Sequence, residues 1–330
     1  QNLRKRIDWG LTYYRSTFEN YPIFEAGDIK SQLFNRLYSN LYQVNFSYPW
    51  DVIRSVRAMV GYRSDRVVIK TDANFPPATQ FKDTLLRFAL ARLEYVHDNS
   101  TTPALNIWNG LRYKFYIDIA SRMVKGNQEG RYTFNAGTDI RYYYPIYRNF
   151  IWAARGAADF SWGSQKVIYY LGGVDSWISP KFNNANRPNS NETYAYQSLA
   201  VNLRGHQQNV ANGNNAIVLN SEFRLPIFTT FFNRPVNNAF LRNFQLTQFI
   251  DLGTAWNGPI SKVRRPSTIY GNPPVTFLIQ TGGIGPFVGG YGFGVRSTLL
   301  GYFLRLDAGW PMGVFFKGKP YWYFGLGLDF

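Results

Sequence analysis

The chain has 330 residues, no cysteine, two histidines and a formal charge of +16, with 18% aromatic residues at a mean hydropathy of −0.28. It contains no run approaching the about 20 apolar residues of a membrane-spanning helix, so it could cross a bilayer only as a closed barrel that pairs every backbone group internally. So positive a chain raises nucleic acid as a partner, but the arginines fall on strand faces rather than in clusters, and anionic lipid headgroups are the expected neighbours.

A period of two runs through the sequence, the pattern of strands with one face for lipid and one for water. It predicts twelve strands, near 6–18, 39–48, 51–63, 85–97, 107–123, 131–144, 149–162, 216–228, 244–257, 289–298, 301–310 and 321–330. In the fifth, Leu111, Tyr113, Phe115, Ile117 and Ile119 oppose Arg112, Lys114, Asp118 and Arg122. In the sixth, Tyr132, Phe134, Ala136, Thr138, Ile140, Tyr142 and Tyr144 oppose Arg131, Asn135, Asp139 and Arg141. The tenth sets Tyr291, Phe293 and Val295 against Gly292, Gly294 and Arg296, and the eleventh sets Tyr302, Leu304, Leu306 and Ala308 against Phe303, Arg305 and Asp307. The twelfth alternates Trp322, Phe324, Leu326, Leu328 and Phe330 with Tyr321, Tyr323, Gly325, Gly327 and Asp329.

Short turns are expected at Tyr48–Asp51, Tyr144–Asn149 and Leu299–Gly301, and long polar loops at 19–38, 64–84, 163–215 and 258–288, with 229–243 too long for the short-turn side. The expectation is an all-β, antiparallel transmembrane β-barrel of at least twelve strands, forming one domain over 1–330; the rival is a large soluble β-sandwich or propeller. A soluble sheet also alternates, but it rarely sets Arg and Asp so regularly opposite a Tyr/Phe stripe. The chain opens inside a strand near Arg6 without an initiator Met, so further strands or periplasmic domains are expected upstream of Gln1.

Two sets of residues carry functional signal. The first is Gly325, Leu326, Leu328 and Phe330, an alternating strand closing on an aromatic residue, which reads as an assembly signal recognised by strand pairing; the plainer reading is a protein that happens to end in a strand. The second is spread over three segments: Leu203-Arg204-Gly205-His206, then Asn220-Ser221-Glu222-Phe223-Arg224-Leu225-Pro226, then Phe249-Ile250-Asp251-Leu252-Gly253. On their strands Glu222 shares a face with Val218, Asn220 and Arg224, and Asp251 shares one with Gly253 and Ala255, opposite Ile250, Leu252 and Trp256. Two inward carboxylates on adjacent strands repel unless a cation lies between them, and the planar fork of an arginine can bridge both. Arg204 is one candidate; the alternative leaves Arg204 exposed and pairs the acids with Arg224 or Arg296.

These three segments, with Leu171-Gly172-Gly173 before them, resemble the BamA/TamA surface-antigen superfamily of outer-membrane assembly and secretion barrels over roughly residues 170–330. The resemblance implies that the loop carrying Arg204 folds back into the barrel and that Arg204 meets acidic residues on the wall. It also implies protein insertion into, or translocation across, the outer membrane of a Gram-negative bacterium, through a weak seam between the first and last strands. Expected partners are outer-membrane lipids and lipopolysaccharide, client outer-membrane or secreted proteins, and periplasmic or lipoprotein subunits. The chain departs from the family where His206 replaces an aromatic residue, where 175–201 is longer, and in showing twelve strands rather than sixteen, without soluble periplasmic modules.

Two alternatives remain: a structural barrel anchoring a periplasmic or surface partner, and a plugged anion-preferring pore. No catalytic or cofactor chemistry is expected. His97 and His206 have no metal-ligand spacing, no nucleophile motif occurs, and Gly290-Tyr291-Gly292-Phe293-Gly294 reads as sheet glycine packed against a plug.

Overall fold

The structure is a computed structural model that describes residues 6–20, 23–26, 29–71, 83–123, 131–189, 192–200, 202–233, 236–264, 267–270, 277–280, 283–313 and 318–330. Its main sheet runs through twelve strands in sequence order. The first six are β1 (Asp8–Asn20), β2 (Ile29–Pro49), β3 (Arg54–Thr71), β4 (Thr84–Asp98), β5 (Ile107–Met123) and β6 (Tyr132–Tyr147). The others are β7 (Phe150–Gly163), β8 (Asn215–Pro226), β9 (Gln245–Trp256), β10 (Phe287–Leu299), β11 (Tyr302–Pro311) and β12 (Tyr321–Leu326). Each corresponds to one of the twelve expected strands. No helix among the described residues is long and apolar enough to cross a membrane.

The chain packs as two units, one of residues 1–95 with 117–134 and one of 96–116 with 135–330. In the first, β1 pairs with β2 from Asp8↔Ser47 to Asn20↔Asn35, and β2 pairs with β3 from Pro49↔Ser55 to Leu33↔Thr71. These ladders extend into the expected polar loops 19–38 and 64–84, where the strands run over 29–38 and 64–71. The backbone hydrogen bonds simply continue; only the apolar alternation stops, where neither face is required to be apolar.

In the second unit the polar and bare faces separate sharply. Val218, Asn220, Glu222 and Arg224 on β8, Arg296 on β10, and Arg305 and Asp307 on β11 are buried, whereas Leu219, Phe223, Leu246, Ile250, Phe293, Trp322 and Phe324 are exposed. Arg112 lies on the face opposite the exposed Phe115 of β5, where it pairs with Asp98 at 3.3 Å. Trp256 departs from the pattern: it has outward parity but is buried, with Phe160 edge-on at 6.1 Å.

The connections differ in three places. β6 continues through Pro145 to Tyr147, so only Arg148 and Asn149 form that turn. The long connection 227–244 contains two helical turns, Ile227–Phe231 and Ala239–Arg242, the second capped by the Asn238 side chain, which accepts from the Phe240 and Leu241 amides. β12 stops at Leu326 instead of running on to Phe330.

The loop 164–214 covers the polar face of the second unit with its own small sheet. Lys166–Leu171 pairs in parallel with Tyr194–Ala200 and antiparallel with Ala211–Gly213. Val167, Tyr169, Leu171, Leu203 and Val210 from the loop form one apolar core with Val218, Ala255 and Val288 of the wall. The loop is therefore held by packing as well as by charge.

Candidate functional site

Arg204 sits on the tight turn that follows the bridge between Gly173 and Leu203. The residue is 3% exposed, and its side chain reaches β8 and β9 together. Nε and Nη2 donate to the two oxygens of Asp251 at 2.8 and 3.1 Å, and Nη1 donates to Glu222 at 2.6 Å. The backbone amide of Arg204 also donates to Asp251, at 3.0 Å, and the guanidinium lies 3.7 Å from the ring centre of Phe249. Burial opposes the charge, but Asp251 and Glu222 outweigh it and hold the Arg204 pKa well above the usual arginine value. Asn220 completes the site, donating to Asp251 at 2.8 Å and to the carbonyl of Asn202.

Arg224 and Arg296, the alternative partners, are also engaged. Arg224 donates to Glu222 at 2.8 Å, and Arg296 pairs with Asp307 and Asp329, both at 2.8 Å. Arg305 meets Asp329 at 3.4 Å, and Arg204 approaches Asp307 at 3.8 Å. Four arginines, at 204, 224, 296 and 305, thus share one buried network with four carboxylates, at 222, 251, 307 and 329. The formal charge of this network is zero. The sequence reading named Glu222, Asp251 and Arg204 but missed the roles of Asp307, Arg305 and Asp329. Their inward parity was visible; their pairing depends on the cross-strand register Arg296↔Arg305 and on a bend at the chain's last residues.

Two glycine contacts explain how the loop backbone comes so close. A Cβ on Gly290 of β10 would collide with the Arg204 carbonyl oxygen, and one on Gly205, at φ 94°, would lie 2.5 Å from the Trp310 carbonyl oxygen of β11. Tyr323 of β12 closes the turn, accepting from the Gly205 amide at 2.8 Å and donating to the His206 carbonyl at 2.7 Å. His206 itself is buried and bonded through Nε2 to the Gly289 carbonyl at 2.8 Å. A carbonyl can only accept, so Nε2 carries the proton. Burial pushes this imidazole below its ordinary pKa, against the opposing effect of the Gly289 bond. Gly253 lies under the loop, where a Cβ would be 3.2 Å from Leu203.

The segment 325–330 differs from the expected strand. Leu326 and Leu328 are exposed, but Gly327 turns the backbone at φ 120° and Phe330 is buried against Ile107, Tyr143, Ile151 and Ala153. The polar network draws the segment inward: Asn106 accepts from the Asp329 amide at 2.9 Å and Arg224 donates to the Phe330 oxygen at 3.0 Å. Gly325 faces the loop and is bridged to Trp177. Only residues through Leu326 are therefore laddered strand. His97 is stacked on Tyr113 at 4.7 Å, and no group of three metal-ligating side chains occurs among the described residues.

No family model matches the sequence, and no curated protein matches it. Solved structures do match. BamA from Haemophilus ducreyi lacking POTRA domains 1–3 aligns with a TM-score of 0.51 at 11% identity, over 96% of this chain and 58% of that one. CdiB from Acinetobacter baumannii aligns with a TM-score of 0.51 at 12% identity, over 97% and 47%, and CdiB from Escherichia coli with 0.52 at 11%, over 97% and 50%. The chain spans about half the length of these proteins. It has the antiparallel transmembrane β-barrel fold of BamA and CdiB.

Proposed function

We propose that this chain is the membrane barrel of a BamA/TamA-type machine that inserts proteins into, or translocates them across, the outer membrane of a Gram-negative bacterium. The observation that carries the proposal is the loop 164–214, pinned to the wall by Arg204 between Glu222 and Asp251. An interior spanned by a packed loop is not built for free diffusion, and a network with no net charge gives no reason to prefer anions. Both points favour a protein-handling barrel over a plugged anion pore. The bare apolar face supplies the surface a bilayer requires, and outer-membrane lipids are its natural neighbours. Among the described residues the strand path ends on β1 and β12, and an incoming client strand would add to such an end through its backbone groups.

The test is reconstitution of the full chain into phosphatidylethanolamine-containing liposomes, followed by addition of a urea-unfolded outer-membrane barrel protein. The expected result is client folding accelerated several-fold over empty liposomes, read by heat-resistant gel mobility. No acceleration, together with no passage of an unfolded secreted protein, would leave the barrel an anchor for another partner.

A further inference from the structure

Three connections of the second unit meet at one end of its sheet: Arg148-Asn149, the helical segment 227–244, and Leu300-Gly301. The registers Ile151↔Arg224, Gln245↔Arg296 and Leu299↔Tyr302 bring them there. Polar bonds join them from beneath. Arg148 donates to the Thr230 carbonyl at 3.1 Å, Ser297 to the Phe240 carbonyl at 2.7 Å, and Asn243 to the Thr298 hydroxyl at 2.9 Å. Phe228 packs on Phe232 and Phe244 at 5.8 and 6.4 Å.

The outer surface of this assembly is apolar. Phe231 and Phe232 are 61% and 56% exposed, Phe240 and Leu241 are also exposed, and Leu300 is 89% exposed while held at φ 51°. A left-handed conformation suits a two-residue hairpin turn but favours glycine or asparagine there, so leucine is not chosen for the turn itself. The charged residues in these connections are all basic: segments 144–149 and 227–244 contain arginine, 297–303 has no charged residue, and none of the three contains aspartate or glutamate. Arg148 lies 5.3 Å from the ring centre of Tyr147, and Arg242 ends the second helical turn.

From this surface we infer that the helical connection and its two flanking turns are a foot seated in the headgroup layer of a phospholipid leaflet, with a preference for anionic lipid. Phenylalanine and leucine at the acyl boundary with arginines at phosphate level form the usual interfacial arrangement. The patch also continues the bare face: Phe223 and Leu246, both exposed, lie next to it at the ends of β8 and β9. The inference rests on the membrane-spanning reading and adds a specific lipid contact to it.

Because the chain has no cysteine, single spin labels can be placed cleanly. Phe231→Cys and Leu300→Cys report the foot, Phe293→Cys reports the bare face and Lys319→Cys reports exposed loop. Each full-length variant is reconstituted in phosphatidylcholine vesicles with or without phosphatidylglycerol. The expected result is high oxygen and low nickel-chelate access at 231 and 300, approaching position 293, with nickel access rising several-fold when phosphatidylglycerol is omitted. Arg242→Gln should abolish that lipid dependence. If 231 and 300 behave like 319 while 293 is in lipid, the foot is overturned and the membrane reading stands. If 293 also behaves like 319, both fall. Spin–spin broadening at 231 that grows with protein density would assign the surface to a second copy and also overturn the inference. Should Phe231→Cys fail to fold, Phe232→Cys serves the same purpose.

Discussion

Arg204 is the side chain whose loss should cost the most, because among the described residues it is the only arginine paired with Asp251. In its absence Glu222 keeps Arg224, while Asp251 keeps, among the described residues, the Asn220 amide and the residue-204 backbone N–H. Leaving one member of a buried ion pair uncompensated costs about 3–5 kcal/mol when the site is dry. Arg204→Ala should therefore still assemble but lose heat resistance on gels and raise conductance in planar bilayers. Arg204→Lys restores the charge without the fork and should fall between the two. Unchanged conductance and heat resistance would mean that Arg224 and Asn220 suffice. His206 adds a pH dependence with a defined sign. Its pKa is lowered by burial from an ordinary 6.5, so docking of the loop is fully favourable above that pH. As pH falls below 6.5 the undocked imidazole takes up a proton that the docked one resists, and docking weakens. Protease cleavage within 164–214 should therefore rise between pH 7.5 and about pH 5. His206→Gln keeps a donor for Gly289 without titrating, and it should flatten that profile; an unchanged profile would assign the effect to the carboxylates.

At the scale of elements, the loop and the β10–β11 hairpin fit because glycine backbone meets glycine backbone. Gly290→Ala places a methyl group on the Arg204 carbonyl, so the turn must lift and withdraw the guanidinium from Asp251. Its phenotype should match that of Arg204→Ala in conductance, although no charge has changed. Gly10→Ala, on β1 with nothing within 4 Å of the added carbon, should leave conductance and heat resistance unaltered. Equal behaviour of the two glycine variants would show that close backbone approach does not position the loop. The strands themselves were legible in the sequence because lipid and water impose opposite demands on alternate residues. Inward Asp139, Asp307 and Arg305 against outward Tyr142, Leu306 and Phe324 could be read from parity alone. The tucked Phe330 could not: Leu326, Leu328 and Phe330 keep the same alternation whether or not Gly327 bends, and the bend is driven by Asn106, Arg224 and Arg296 on three other strands or turns. The helical turns in 227–244 were equally hidden, since four or five residues are too few to display a 3.6-residue period.

For the molecule as a whole, the two units differ in what backs their ladders. Every buried apolar side chain among the described residues belongs to the second unit, from Val96 and Ile107 through Leu203 to Phe330. In the first unit the buried side chains are Asp65 and Thr133, and its polar face carries ion pairs such as Arg57–Glu94 at 3.5 Å and Arg92–Glu94 at 2.9 Å. Partly exposed pairs of that kind contribute about 0–1 kcal/mol each, whereas each fully buried apolar side chain contributes about 1.5–3 kcal/mol. Local opening follows such differences, because segments with few buried contacts open at lower free energy than the global transition. Amide hydrogen exchange on the reconstituted chain should therefore be slowest in β8–β11, where the loop core and the charge network both contribute. It should be faster in β1–β3, even at equally laddered positions such as Val44 and Val60. The gap should narrow in Arg204→Ala, which loosens the second unit and leaves the first untouched. Uniform protection across all twelve strands, unaffected by that substitution, would mean that the bilayer rather than the loop sets the barrel's stability, and that the buried network serves only to hold the loop in place.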